Sequence, residues 1–210
     1  MKKKVIDGKA LIYSEGAFNT PNGKTAHGLV RFTERYEIVG VLDSNYQGKD
    51  AGEVLDGKPN GIPIFKDFES AVTGLASSNM MPSYFVIGLA PDGGRLPVEA
   101  KGVIKKALDK GWNVDSGLHD FLTNDTDLMA IAKANNCQVR DIRKTPDRDK
   151  LHFFTGDIEK VVCLKLAILG TDSALGKRTT AWILVHAFRA AGKKAEMIGT
   201  GQTAWMQGAK

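Results

Sequence analysis

Short apolar runs alternate along this chain with stretches whose apolar residues recur at helical spacing, and that alternation predicts strands and helices in turn. Residues 9–14 read as a first strand, followed by a Gly/Asn/Pro loop through Thr25. Residues 26–33 suit a short helix, and residues 37–42 a second strand ending at Asp43. Residues 61–65 form a short extended piece, with a helix starting near Phe68. Residues 83–89 are a buried strand closed by the turn Pro91-Asp92-Gly93-Gly94. The spacing then predicts a helix over residues 97–110, with Pro97 in its first turn and Gly111 beyond its end. Residues 112–117 are another strand, Asp125 caps a helix carrying Leu128, Ile131 and Ala132, and residues 138–143 are the last strand of this half. Strands alternating with helices imply a mainly parallel sheet covered on both faces.

A second pattern follows a charged stretch, residues 145–160, that contains Pro146 and Gly156. The expected organisation is a Rossmann-like α/β domain over 1–145, a linker over 146–160, and the first part of a P-loop NTPase-like α/β domain over 161–210. Residues 161–169 are apolar and read as a buried strand. They lead into Gly170-Thr171-Asp172-Ser173-Ala174-Leu175-Gly176-Lys177-Arg178-Thr179-Thr180, and Ala181, Leu184, Val185 and Phe188 then recur at helical spacing up to Gly192. Strand, glycine-bounded loop and helix start make a phosphate cradle: free backbone N–H groups and the positive helix end face the anion, and Lys177 adds a charge. The usual P-loop has four residues between its glycines and a hydroxyl after the lysine. Here five separate Gly170 from Gly176, and Arg178 stands in the hydroxyl position. Phosphate binding is therefore expected more strongly than magnesium-assisted hydrolysis. An ordinary glycine turn is the plainer alternative. Two strands and one helix are too few for an independent P-loop domain, and residues 199–208 read as a glycine-rich loop. The sequence is thus expected to be a piece of a longer protein.

Composition narrows the function classes. The chain of 210 residues is 42% hydrophobic, ample for a core, and its net charge is +5. The lysines are scattered, so the expected partner is an anionic small molecule and not nucleic acid. No apolar run is long enough to span a membrane, and no signal segment follows the basic start. Cys137 and Cys163 are far apart and form no zinc motif, and no metal ligands are assigned. Reduced thiols fit a cytoplasmic protein. An incomplete second sheet would favour homo-oligomers through exposed strand edges.

The first half carries its own candidates. Asp43 ends the second strand, where a ribose-binding carboxylate often sits, but the Gly-x-Gly-x-x-Gly fingerprint is absent between Gly16 and Gly28, so NAD is the less favoured ligand. His119 follows a strand, at the edge where open sheets place ligand groups, and histidine titrates near neutral pH. It is a candidate general base; a histidine hydrogen-bonded within its loop is the alternative. Asp141 and Arg143 end the next strand, either at the same edge or as a pair that ties the domain together.

Several motifs, taken together, resemble one family along essentially the whole chain. They are Lys24-Thr-Ala-His-Gly28, Val41-Leu-Asp43-Ser44, Gly117-Leu-His119-Asp-Phe-Leu122, Asp141-Ile-Arg143-Lys144, the Gly170 to Thr180 loop and Gly199-Thr-Gly-Gln202-Thr203. The family is bacterial and archaeal, formerly of unknown function, with a Rossmann-like first half and a P-loop second half. It is sometimes labelled NAD-dependent epimerase/dehydratase, and is similar to the D-glutamate N-acetyltransferases. The loop also resembles that of dethiobiotin synthetase, which shares Gly-Thr-Asp and the five-residue gap but has threonine where this chain has Arg178.

The resemblance implies acetyl transfer from acetyl-CoA to the amine of D-glutamate or a similar amino acid. Gly170, Thr171, Gly176, Lys177, Arg178, Thr179 and Thr180 would hold the coenzyme phosphates. Arg143 and Gln202 would bind substrate, and His119 and Asp172 are the catalytic candidates. The alternatives are a magnesium–ATP enzyme of the dethiobiotin synthetase type and a non-catalytic nucleotide- or NAD-binding module.

Overall fold

Six strands form one sheet in the order β3-β2-β1-β4-β5-β6, every neighbouring pair parallel. They are β1 (Gly8–Tyr13), β2 (Tyr36–Leu42), β3 (Ile64–Phe65), β4 (Tyr84–Ile87), β5 (Asn113–Ser116) and β6 (Val139–Asp141). The computed structural model describes residues 6–172 and 175–210. The connecting helices are α1 (Lys24–Arg31), α2 (Ala51–Asp56), α3 (Phe68–Ser77), α4 (Val98–Asp109) and α5 (Thr126–Ala134). The chain divides into two compact units: the residues through Arg143 together with Gly199–Ala209, and Lys144–Ile198 with Lys210.

Crossover handedness assigns the helices to the two faces. Parallel strands are joined by right-handed crossovers, so stepping from β1 to β2 to β3 puts α1 and α2 on one face. Stepping back through β4, β5 and β6 puts α3, α4 and α5 on the other. The side chains divide accordingly. Phe68 and Leu75 of α3, Ile104 and Leu108 of α4 and Leu128 of α5 pack with Leu11, Phe85 and Val114. Ala26 and Leu29 of α1 and Ala51 of α2 pack with Ile12, Val41 and Val86. This alternation along each strand is the period-two pattern of a sheet buried on both sides.

The same rule leaves the α1 face without a crossover helix over β4, β5 and β6. The segment Gly199–Ala209 fills that space. Residues 199–208, expected as a loop, contain a short helix, α7 (Gln202–Met206). Met206 is fully buried in the cluster that contains Val86. Thr203 Oγ1 lies 3.0 Å from Thr25 Oγ1 in α1. Gln207 Nε2 donates to the carbonyls of Gly28 (2.8 Å), which also accepts from the Phe32 N–H, and of Phe32 (2.9 Å), tying α7 to the end of α1. The loop expectation fails because Gly199 and Gly201 read as breakers, whereas the residues after them pack as a helix against a distant part of the chain.

A charged pair lies on this face. Asp115 in β5 is completely buried and accepts two hydrogen bonds from Arg140 in β6, Nε to Oδ1 and Nη2 to Oδ2, each 2.6 Å. Tyr36 donates its hydroxyl to the same carboxylate. Burial pushes the Tyr36 phenol far up, with the Asp115 charge and hydrogen bond adding to it. Burial opposes the Arg140 charge, but the Asp115 contacts outweigh it and leave the guanidinium more basic than usual.

Most expected strands and helices form, with α1 beginning at Lys24, two residues early. The short α2 has no counterpart in the sequence reading, because its apolar stripe is brief and Gly52 interrupts it. The larger difference lies in the second unit. Its helix, α6 (Lys177–Ala190), forms, but residues 161–169 make no sheet pairing among the described residues. Val162 is fully exposed, and Leu164 and Leu169 are nearly so. A strand needs lateral partners for its N–H and C=O groups, and no second strand stands beside this segment among the described residues. No described helix is long and apolar enough to cross a membrane.

Asp50 supports a measurable prediction. Its carboxylate accepts main-chain N–H groups from Gly52, Glu53, Asn60 and Gly61, capping α2 and fixing the turn that precedes β3. Burial works against its ionisation, but the N–H groups of Asn60, Glu53, Gly61 and Gly52 outweigh that and hold its pKa below the usual carboxylate range. The stabilisation is therefore present above the unfolded carboxyl pKa and is lost as pH falls through the lower folded one. Asp50→Ala is expected to cost about 1–2 kcal/mol at neutral pH. Urea titrations of both proteins should converge as the buffer is taken into the acid range.

Candidate functional site

Open parallel sheets bind ligands beyond the carboxyl ends of their strands, most often where the strand order reverses, which here is between β1 and β4. At that point the chain uses its own groups. Asp43, expected as a possible ribose ligand, is completely buried. Its carboxylate accepts from the N–H groups of Phe18 (2.8 Å) and Asn45 (2.9 Å). Burial pushes its pKa up, and these hydrogen bonds oppose the rise. Phe18 is fully buried among α1-face residues. The first-turn N–H of Ala26 in α1 donates to the Gly88 carbonyl, 2.9 Å away. The carboxylate and one of the helix amides that a dinucleotide would use are thus engaged within the protein.

A cleft of about 410 Å³ opens instead beyond β5 and β6, in the size range of small-molecule sites. His119, Arg143, Gln202, Ile142 and Trp205 line it together with residues 199–201. Three of the substrate and catalytic candidates, far apart in sequence, therefore share one wall. His119 is exposed and stands in the loop after β5, where its N–H donates to the Gly94 carbonyl (2.7 Å). Gly94 has φ +63°, and a Cβ there would collide with the imidazole. Asp120 accepts from Leu96 N–H (2.8 Å), tying the same two loops again. Asp141 accepts from the N–H groups of Leu122 (3.0 Å) and Thr123 (2.8 Å) and from the Thr123 hydroxyl (2.7 Å). It is a clamp on the His119 loop. Arg143 donates from Nε to the Gly117 carbonyl (2.7 Å), which fixes the plane of its guanidinium at the cleft.

Gln202 reaches this wall because Gly117 has no side chain. A Cβ on Gly117 would lie 2.5 Å from Gln202 Cγ. Trp205 and Ile142, the apolar members of the cleft, were not among the candidates. The sequence signal for Trp205 was its spacing of three from Gln202, which places both on one helix face once α7 is recognised.

The phosphate-loop candidates lie in the second unit. Gly176 is the N-cap of α6 with φ +85°, a conformation that favours glycine, and Lys177 is the first helical residue. Lys177 folds back so that a Cβ on Gly170 would sit 3.1 Å from its Cδ, and its ammonium donates to the carbonyl of Asp172. Gly170, Thr171, Asp172, Thr179 and Thr180 are exposed, while Lys177 and Arg178 are half-buried. Ser173 and Ala174, inside the expected loop, lie outside the described residues. Among the described residues, no three His, Cys, Asp or Glu side chains converge as a metal site would require.

Sheet order and glycine-capped helix together define the class: a Rossmann-like domain followed by a P-loop domain. The chain belongs to the DUF1611 family. Residues 44–145 match that family's Rossmann-like domain, and residues 152–210 its P-loop domain, each described as a domain of unknown function. The crystal structure of a DUF1611 family protein from Anabaena variabilis superposes with a TM-score of 0.82 at 32% identity, covering 95% of this chain and 55% of that one. D-Glutamate N-acetyltransferase from Tritonibacter scottomollicae is 34% identical over 118 residues, which is 56% of this chain and 34% of that protein. The protein of the same name from a Pseudoalteromonas species matches equally, at 34% over 118 residues. The match thus spans about a third of the curated relatives' length.

The close approach at Gly117 sets an expectation for the cleft. Gly117→Ala forces Gln202 or the strand end to move and should cost about 1–3 kcal/mol. Gly102→Ala, in α4 with open space around its Cβ position, should be neutral or stabilising by up to about 1 kcal/mol. Thermal melts of the two variants test the contrast; equal effects would mean that Gln202 does not press on Gly117.

Proposed function

We propose that this protein acts in acetyl transfer from acetyl-CoA to the amine of D-glutamate or a similar amino acid. The observation that carries the reading is the convergence of His119, Arg143 and Gln202 on one cleft. The names of the two curated relatives point to the same chemistry. Arg143 supplies the cation for a substrate carboxylate, since guanidinium matches carboxylate bidentately, and Gln202 offers an amide that both donates and accepts.

An ammonium must lose a proton before it attacks a thioester. His119 takes that proton; the nitrogen then bonds to the acetyl carbon and gives up a second proton as the carbon–sulfur bond breaks, and that proton goes to the departing thiolate, leaving the amide and the free thiol. Acetyl-CoA contributes the activated carbonyl. Its phosphates suit the donors of the second unit: Lys177 as charge, Gly170 and Gly176 for close backbone approach, and the hydroxyls of Thr171, Thr179 and Thr180. Arg178 adds a second cation, and Asp172 orients the loop through the carbonyl that holds Lys177. The buried position of Asp43 supports a reading without NAD.

Calorimetric titration with acetyl-CoA, and separately with magnesium–ATP, tests the coenzyme half of this reading. Acetyl-CoA is expected to bind preferentially, and Lys177→Ala to weaken it about tenfold or more. Arg143→Ala is expected to weaken D-glutamate binding about tenfold without changing the acetyl-CoA affinity. Preference for magnesium–ATP would instead assign the loop to ATP-dependent chemistry of the dethiobiotin synthetase kind. Tight binding of either with no turnover would point to a non-catalytic module.

A further inference from the structure

Trp205 joins two features that lie apart in the sequence. Trp205 lines the cleft with Gln202, His119 and Arg143. Its indole ring carries the Arg35 guanidinium, with Cζ 3.7 Å from the ring centroid, and that of Arg140, with Cζ 5.1 Å away. Arg35 also donates from Nε to the Trp205 carbonyl (2.9 Å). A guanidinium over an indole face is attracted to it, more strongly where water is excluded.

Arg140 is itself fixed from below. Two of its nitrogens are held by the buried Asp115 carboxylate, which also accepts the Tyr36 hydroxyl. Its remaining Nη1 lies 3.0 Å from Asp7, and Arg35 reaches the same Asp7 oxygen at 3.4 Å. An unbroken line of contacts therefore runs from a carboxylate inside the sheet face, through a rigid fork, to an aromatic wall of the cleft. Gln202 stands three residues before Trp205 on α7, so any roll of that helix displaces both.

We infer that Arg140 is a positioning residue of the cleft, supported by Asp115 and Tyr36, and that it sets Trp205 and Gln202 where the acceptor amino acid binds. This rests on the reading of the cleft as the acceptor site. Stability alone does not require such a network, because buried ion pairs are often replaced by apolar side chains of similar volume without loss. The geometry has a second product, the orientation of a short helix whose own five residues are too few to hold it.

The test uses that distinction. The triple variant Tyr36→Phe/Asp115→Leu/Arg140→Met replaces the network with apolar groups, and Arg140→Lys keeps the charge but loses the fork. Each is compared with the parent in melting temperature, D-glutamate affinity and amide hydrogen exchange at residues 202–206. The expected result is a melting temperature near the parent's for the triple variant and a lowered one for Arg140→Lys, with D-glutamate binding weakened about tenfold in both and exchange in α7 accelerated more than in α4. Parent-like affinity and exchange in either folded variant overturns the inference, and if the triple variant fails to fold, Arg140→Lys decides alone. Should the parent itself bind no D-glutamate, the acceptor assignment falls, while the exchange comparison still decides whether Arg140 positions α7.

Discussion

A completely buried carboxylate on a sheet face that no crossover helix covers is the constraint around which the first unit is organised. Asp115 is stable there only because Arg140 forks onto it and Tyr36 adds a hydroxyl, and those partners need shelter from water in turn. Right-handed crossovers carry α3, α4 and α5 to the opposite face, so the shelter comes from elsewhere in the chain. Trp205 and Met206 provide it. The helix that carries them also delivers Gln202 to the cleft, so one packing requirement accounts for both the roof of the sheet and part of the site.

Aspartates recur as clamps on loop backbone. Asp43 holds the β1–α1 loop, Asp120 joins the loops after β4 and β5, and Asp141 grips the turn after His119. Each lies close to a strand's carboxyl end or in the loop that follows, where a sequence reader looks for catalytic acids. Their oxygens are instead matched to main-chain N–H groups, the strong charge-assisted kind of hydrogen bond. The loops at the cleft are irregular yet fixed in place, and the loop that carries His119 is held by Asp120 and Asp141.

The legible part of the fold was the part with local causes. Strands β1, β2 and β4 announced themselves by apolar runs, and α4 and α5 by helical spacing with recognisable ends. Asp125 as the cap of α5 is a local hydrogen bond, and it was readable as such. The failures depended on distant partners. Residues 161–169 have the composition of a buried strand, but composition does not supply a neighbour to pair with. Gln202 to Met206 look like a loop until Thr25, Gly28 and Phe32 are brought beside them. At the cleft, His119 and Arg143 could be named from their places after strands and Gln202 from the motif that carries the family resemblance, whereas their shared wall depends on Gly117 and Gly94 making room for Gln202 and His119. Two glycines of that kind carry no signal of which side chain will press against them.

The joining of Gly199–Ala209 to residues before Arg143 has a temporal side. On the ribosome, the sheet and its α3–α5 layer are complete once β6 has emerged. The cover of the opposite face over β4, β5 and β6 must wait for more than fifty further residues to be synthesised. During that interval Asp115 and Arg140 face solvent, and the nascent unit presents a half-finished surface to whatever is nearby. The final docking then closes a long loop, whose entropic cost grows only slowly with length. Lengthening the intervening segment would therefore delay maturation of the first unit far more than it would weaken the finished one.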